Sequence, residues 1–570
     1  MSTLDWLLLI GTLGFIVLYG MWKSRHTSTI DTYLLADRKL PWYHVGLSVM
    51  ATQASAITFL SAPGQGYNDG LRFVQFYFGL PLAMIFLCIF FIPAFHNLKI
   101  YTAYEFLEKR FDKRTRKFTA FLFLLQRGLS TGITIYAPAI ILSTILHIDL
   151  AFTILFNGVI VILYTLYGGT KAVSYTQVLQ MSIIFGGLIL TAVLLLHLLP
   201  ENVGFVDALQ IAGKSGRLKA VDTHFNVNDR YNLWSGLIGG FFLQLSYFGT
   251  DQSQVGRYLT GSSIKQSRMG LLMNGLLKIP MQFLILLIGC LLFVFYQFQP
   301  NPLFFNDHAL QQLEAKLPNK VEELHVIQSN LQTAKIEHSR ALLQAINQNN
   351  KAQINGLRVK LQRDDSLNKA LHAEVQQLLK VSVPASDHND SNYIFLYFIT
   401  HHVPKGIVGI LMAIIFLAAM GSTASGMNSL ASATYIDFVQ NSTKSNVSEA
   451  AALKASRRLT LAWGVFCIIT AFFASRLGNL IEAVNILGSL FYGTILGIFM
   501  VAFFLKKVDG FSTFMAALIT EAFVVLAWIN DLTAFLWLNV IGCLLLMLLA
   551  WVISIAKAKF SPAGRQAPLS

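Results

Sequence analysis

Long apolar stretches separated by short polar ones run through most of the chain. A helix needs about 20 apolar residues to cross the hydrocarbon core of a bilayer. Stretches of that kind lie near 5–22, 44–66, 73–95, 118–146, 151–167, 173–199, 233–256, 270–298, 405–436, 459–477, 479–505, 511–528 and 533–555. The pattern predicts an all-α integral membrane protein with 13 transmembrane helices. The first stretch is expected to persist as a helix. Asp5 precedes its apolar run, no basic segment leads it, and no small-residue cleavage site follows.

Residues 300–395 depart from this pattern, being rich in Gln, Asn, Lys and Glu. Leu310, Leu313 and Leu317, then Val321 and Leu324, then Leu367, Leu371, Val375 and Leu378 recur at helical spacing. Pro318 and the run 347–350 read as breaks. The expectation is an insert of two or three helices, either a partner-binding or gating element or a decoration of the fold. A second polar stretch, 200–232, is expected to hold one short helix.

Composition agrees with a bilayer protein. Of 570 residues 54% are hydrophobic and 13% charged, and mean hydropathy is +0.56; a soluble protein carries about 25% charged residues. The net charge of +14 would suit a nucleic-acid partner, but its placement argues against one. Lys and Arg gather in alternate short loops, such as Lys23 to Lys39, Lys99 to Lys117 and Lys444 to Arg458, whereas the short loops 64–72, 147–150 and 529–532 offer only Arg72. Such a bias marks the cytoplasmic side. It places the N-terminus outside, the C-terminus in the cytoplasm and the insert outside, with a bacterial inner membrane as the expected location. Cys88, Cys290, Cys467 and Cys543 each sit in an apolar run with no CxxC pair, so neither a disulfide framework nor a metal knuckle is expected.

Two spans look interrupted. One carries Thr52, Gln53, Ser55 and Thr58 at mid-depth, followed by Pro63 and Gly64; the other places Gly249, Asp251, Gln252 and Ser253 within one span. Broken helices free backbone groups that bind ions and substrate near the bilayer midplane. Each break opens a five-helix unit, 44–199 and 233–505, which suggests an inverted repeat. The remaining divisions are 1–43 (an extra helix and cytoplasmic loop), the 200–232 extracytoplasmic loop, the 300–395 insert within the second unit, 506–555 (two extra helices) and a 556–570 cytoplasmic tail. A third polar helix carries Ser422, Thr423, Ser425 and Asn428, oxygens of the kind a hard cation such as sodium prefers. Ionisable residues at depth are functional candidates, because burying them costs several kcal/mol. Asp251, Lys278 and Arg127 are the clearest, and Lys278 lies beside the kink residue Pro280.

Four motifs, taken together and in order, resemble the sodium:solute symporter family. They are Ala51-Thr-Gln-Ala-Ser-Ala-Ile-Thr-Phe59, Thr102-Ala-Tyr-Glu-Phe-Leu-Glu-Lys-Arg-Phe111, Tyr167-Gly-Gly-Thr-Lys-Ala-Val173, and Gly421-Ser-Thr-Ala-Ser-Gly-Met-Asn-Ser429 with Asp437 at the helix end. The resemblance covers about 1–300 and 395–510 and leaves the insert outside. It implies a leucine-transporter-like five-plus-five inverted repeat, with one extra helix before it and two after. It also implies a sodium-coupled symporter that imports a small polar solute, a sugar or small organic anion, by alternating access.

The resemblance assigns sodium, the coupling ion, to the carbonyls of Ala51, Ala54 and Ala418 and the hydroxyl of Ser422. Gly421 stands where the family often has Ser, so a further oxygen comes from Thr423 or water. Gln53, Gln75, Asp251, Lys278 and Tyr492 are the implied substrate-facing positions. Gln177 stands where many members carry an acidic residue of a second cation site, so one sodium per cycle is expected. The implied partners are a small-molecule substrate and the lipid bilayer, with an extracytoplasmic partner for the insert if it binds one. The alternatives are a proton-coupled transporter relying on Asp251, or a non-transporting sensor on the same fold. A membrane enzyme would need a catalytic or metal constellation, and His401-His402 has no partner at ligand spacing.

Overall fold

The computed structural model describes residues 1–23, 35–146, 148–384, 388–440 and 448–560. The described chain is helical, and the one pairing of extended backbone in it is an isolated bridge between Leu40 and Gly261. The first half runs through α1 (Thr3–Lys23), α2 (Trp42–Gln53), α3 (Ala56–Asp69), α4 (Leu80–Ile89), α5 (Phe91–Asn97), α6 (Ala103–Arg110), α7 (Lys113–Leu146) and α8 (Leu150–His197). After α9 (Phe205–Lys214), the short helix expected in the 200–232 loop, come α10 (Gly240–Thr250), α11 (Gln252–Tyr258) and α12 (Ile264–Phe298). The insert supplies α13 (Asp307–Lys316), α14 (Pro318–Asn347) and α15 (Lys351–Ser382). The chain then continues through α16 (Ile394–His402), α17 (Ile407–Thr434), α18 (Glu449–Phe473), α19 (Leu480–Phe504), α20 (Gly510–Ile529) and α21 (Phe535–Phe560).

Among the described residues ten helices are long and apolar enough to cross a bilayer, and Leu150–Leu166 is a shorter apolar one. The reading of 13 spans counts differently for a physical reason. The pieces of the helix broken at Asp251 are each too short to qualify alone, and Ala56–Asn97 forms one stretch where the sequence suggests two spans. Apolar side chains such as Leu7, Phe152, Leu276 and Leu526 stay exposed on the outer helices, as a lipid-facing surface requires.

The core is built on α17, which is buried almost throughout and packs against α1, α7 and α8. The carboxylate of Asp5 on α1 accepts the backbone N–H of Gly406 at 2.6 Å and of Gly409 at 3.1 Å, so α1 caps the N-terminus of α17. α12 meets α3 backbone to backbone. A Cβ on Gly289 would lie 2.2 Å from the Pro63 carbonyl, and one on Gly66 would lie 2.5 Å from the Leu286 carbonyl. Such close approach is what small residues permit between membrane helices.

The insert breaks where the sequence indicates, before Pro318 and across 348–350. It has its own apolar core, which includes Leu313, Val321, Leu324, Leu371, Val375 and Leu379, whereas Leu367 is exposed. Three histidine–aspartate contacts stitch it together and to the body: His338–Asp364 at 2.7 Å, His372–Asp390 at 2.9 Å and His401–Asp307 at 3.3 Å. The four cysteines are buried and free.

Candidate functional site

Both expected helix interruptions are present. α2 ends at Gln53, and Ala54 (φ −79°, ψ 79°) and Ser55 (φ −85°, ψ 170°) leave helical geometry before α3 begins. The Ser55 N–H donates to Gln53 O at 3.0 Å, so the Ala51 carbonyl loses its helical donor. The second break is at Asp251 (φ −78°, ψ 118°). Its Oδ1 accepts from the Ser253 N–H at 2.9 Å and the Ser253 hydroxyl at 2.6 Å, a local bond that competes with continued helix and starts α11 afresh.

A cavity of about 100 Å³ lies at the first break. Thr52, Gln53, Ser55 and Thr58 line it from α2 and α3, and Ser422 from α17. Arg127, Ser130, Thr131 and Thr134 form one polar face of α7, and Gln244, Tyr247, Asn485 and Tyr492 complete the wall. Several buried polar atoms here have no hydrogen-bond partner: Gln53 Oε1, both amide atoms of Gln244, and Arg127 Nε. Buried polar groups are nearly always satisfied, so these atoms suit a polar guest.

Of the five implied substrate positions, the structure brings three together. Gln53 and Tyr492 line the cavity. Asp251 lies behind it, 1% exposed, ion-paired to Arg127 and accepting from the Tyr492 hydroxyl at 2.9 Å. Gln75 and Lys278 do not line the cavity. The Gln75 amide is committed to the 200–232 loop: it donates to Tyr231 O at 3.0 Å and accepts from Asp222 N at 3.0 Å. Lys278 is fully buried on α12 with its ammonium 5.8 Å from the Tyr77 ring centroid and no hydrogen-bond partner.

The five implied sodium positions straddle the first break and mid-α17. The Ser422 hydroxyl donates to Ala418 O at 2.8 Å and Ala419 O at 3.2 Å, so it shares a carbonyl with the implied ligand set. Thr423 Oγ1 is buried without a partner, an oxygen in reserve. Next to them Gln177 accepts from the Ser48 hydroxyl at 2.6 Å and donates to Ser425 at 3.0 Å and Thr52 at 3.2 Å. Arg257 donates to Ser425 at 2.8 Å. An amide and a guanidinium therefore occupy the surroundings of Ser425.

The motif 102–111 forms α6 and acts as a brace. The Thr102 hydroxyl donates to Asp437 at 2.9 Å, and Arg116 donates to the same oxygen at 2.7 Å. The Ala103 N–H donates to Gln252 Oε1 at 3.0 Å, and the Tyr104 hydroxyl to Thr250 O at 2.9 Å. This ties α6 to both the second break and the end of α17. Of the polar face of α7 only Arg127 stands out in the sequence, by its charge; Ser130, Thr131 and Thr134 follow it at helical spacing, a signal that could have found them. Gln244, Tyr247 and Asn485 carry no sequence signal that separates them from packing residues.

The model of the sodium:solute symporter family matches residues 33–316 and 373–520. The chain belongs to the sodium:solute symporter family. The unmatched stretch between the two segments falls inside the insert. The chain is 25% identical over 575 residues to the sodium/sialic acid symporter SiaT of Proteus mirabilis, covering 98% of this chain and 96% of that one. To the human sodium/iodide cotransporter it is 32% identical over 270 residues, 47% of this chain and only 41% of that protein. The chain thus spans less than half of that relative. A solved Na+-coupled sialic acid symporter, substrate-bound and outward-open, shares the fold, with a TM-score of 0.75, 23% identity, and coverage of 99% of this chain and 100% of that one. As a family member the chain is a multi-pass, sodium-coupled solute transporter, with sodium as its coupling ion.

Proposed function

We propose that this symporter imports a small polar solute, a sugar or small organic anion, with one sodium per cycle, and that the solute occupies the cavity at the first break. The observation that carries this reading is the convergence there of Gln53, Ser422 and Arg127 around buried polar atoms that lack partners. Sodium sits between the freed carbonyls of Ala51 and Ala54 and the α17 groups Ala418 O and Ser422 Oγ, with Thr423 or water completing the oxygens. Gln53, Tyr492 and the Arg127–Asp251 pair recognise the solute. The Arg127 Nε, without a hydrogen-bond partner, on a guanidinium 5.4 Å from the Tyr247 ring centroid favours a hydroxylated carboxylate within that class. The full-length likeness to two sodium/sialic acid symporters, of Proteus mirabilis and Aliivibrio fischeri, supports the same class.

Sodium entry orders the break between α2 and α3, the solute binds next to it, and the halves 44–199 and 233–505 rock to expose both to the cytoplasm. The membrane potential adds about 2.3 kcal/mol per charge per 100 mV. Single-sodium coupling is supported by Gln177 and Arg257, which fill the space around Ser425 with an amide and a fixed cation. Orientation follows the loop charges: N-terminus outside, C-terminus cytoplasmic, and the insert outside, where it is available to an extracytoplasmic partner; a bacterial inner membrane suits this arrangement.

The test is thermal unfolding of purified protein in sodium against potassium at fixed ionic strength, followed by uptake of labelled sugars and organic anions into proteoliposomes. A sodium-selective stabilisation that a solute enhances supports the reading, since binding and coupling are reciprocal. Equal behaviour in both salts, with uptake driven by a proton gradient, would replace it with a proton-coupled cycle.

A further inference from the structure

A second cavity, of about 230 Å³, lies away from the central site, between the insert and the body. Asp365, Lys369, His372 and Gln376 wall it from one face of α15, at intervals of four, three and four residues. Opposite them stand Tyr67 and Asn68 at the end of α3, Phe293 of α12, and Arg217 from the segment after α9. One water needs only about 10–15 Å³ of such space, so the cavity has room for a small solute.

The frame of this cavity is fixed by its own bonds. The His372 ring donates from Nδ1 to Asp390 at 2.9 Å, and the other Asp390 oxygen accepts from the Phe305 N–H at 2.6 Å. Gln376 donates to His388 O at 2.9 Å. Arg217 donates through Nη1 to Asn68 O and lies 4.5 Å from the Phe293 ring centroid, and the Asn68 amide donates to Ser391 at 2.9 Å.

Four groups remain uncommitted. Arg217 Nε and His372 Nε2 are buried without a hydrogen-bond partner. Asp365 and Lys369 stand one helical turn apart and neither forms an ion pair within 4 Å among the described residues, Asp365 acting on Lys335 only at longer range. With Nδ1 donating to Asp390, the ring leaves Nε2 for the cavity, where it accepts whenever the imidazole is neutral. The cavity therefore offers two cationic donors, Lys369 Nζ and Arg217 Nε, and two acceptors, His372 Nε2 and the Asp365 carboxylate, against aromatic walls.

We infer that this cavity is a ligand site for a small carboxylate that also carries hydroxyl or ammonium donors, a sugar acid or an amino acid, distinct from the central cavity. Lys369 and Arg217 take the carboxylate, Asp365 and His372 take the donors, and Tyr67 and Phe293 cover the carbon skeleton. Asp365, Lys369 and His372 all fall in the stretch 317–372 that the family model leaves unmatched, whereas Arg217, Tyr67 and Phe293 lie in the matched part, so the site exists only where this insert meets the body.

Equilibrium binding to the purified full-length chain tests it, with D-glucuronate and L-aspartate as probes and D-glucose and acetate as controls. At least one probe is expected to bind saturably, in potassium as well as sodium. Lys369→Gln, on an exposed turn of α15, should weaken that binding by about tenfold or more, the loss of one charge-assisted hydrogen bond. Asp365→Asn should weaken it similarly, both variants being read in potassium so that sodium-dependent binding at the central cavity does not contribute. Absence of saturable binding by both probes, on protein that unfolds cooperatively, overturns the proposal. So does binding in potassium that survives both Lys369→Gln and Asp365→Asn.

Discussion

Arg127 on α7 and Asp251 at the break between α10 and α11 form a buried ion pair across 124 residues of chain. Tyr492 joins both, donating to Asp251 at 2.9 Å and accepting from Arg127 at 3.3 Å. Removing one member of a buried pair leaves the other charge uncompensated, at a cost of about 3–5 kcal/mol. Asp251→Leu and Arg127→Met should each lower the unfolding temperature in detergent sharply. The double variant should be less destabilised than the sum of the two, because no charge is stranded. Thermal unfolding of all four proteins closes the cycle; strict additivity would mean that the pair is not coupled.

Ser422→Ala removes the hydroxyl that now rests on Ala418 O and Ala419 O. The fold should tolerate the change, since a helix-internal hydroxyl bonded to its own preceding turn adds little. The sodium-selective stabilisation should disappear. For the parent chain that stabilisation reaches about 2.7 kcal/mol when sodium is 100-fold above its dissociation constant. Unfolding measured across a sodium series at constant ionic strength reads the difference. A variant that keeps the full shift would remove Ser422 from the ligand set.

Gly421→Ser would add a side-chain oxygen beside the implied sodium position, where the packing leaves it little room. A Cβ at 421 would lie 2.5 Å from Gln180 Oε1, so the Gln180 amide must swing away. The expected cost is about 1 kcal/mol of overpacking, seen as a lower unfolding temperature without sodium. Adding Gln180→Ala should recover it. A Gly421→Ser protein as stable as the parent would show that Gln180 moves at no cost.

Much of this architecture is readable from hydrophobic pattern and chain punctuation. The breaks at Ala54 and Asp251 appear as small and polar residues at mid-span, and the turns of the insert as Pro318 and an Asn-rich run, because both signals are local. The short helix Phe205–Lys214 is local too. What escapes is long-range. Gln75 looks like an intramembrane polar residue awaiting a ligand, and only the fold shows its amide spent on Tyr231 and Asp222. Lys278 is as buried as its apolar span suggests, but it does not line the cavity: its ammonium stands 5.8 Å from the ring centroid of Tyr77, which does. Arg127 and Asp251 each stand out by charge, yet no periodicity pairs two residues 124 positions apart.

Lys335 on α14 gives the insert a pH dependence of known sign. Burial pushes its ammonium below the ordinary lysine pKa, and Arg217 adds to this, while Asp365 and Asp364 pull the other way. The side chain is 4% exposed. Between that lowered value and about 10.4, the ordinary value, the unfolded chain holds a proton that the folded chain has released. Stability therefore rises with pH across that window, and the penalty is at its fullest below it. Lys335→Met has no such group to titrate, so its unfolding temperature should lack this rise. The two proteins compared by thermal unfolding from neutral to alkaline pH should converge or cross as pH increases. Profiles that stay parallel would mean that Lys335 titrates as it does in water and that its burial is relieved by the Asp364 and Asp365 carboxylates.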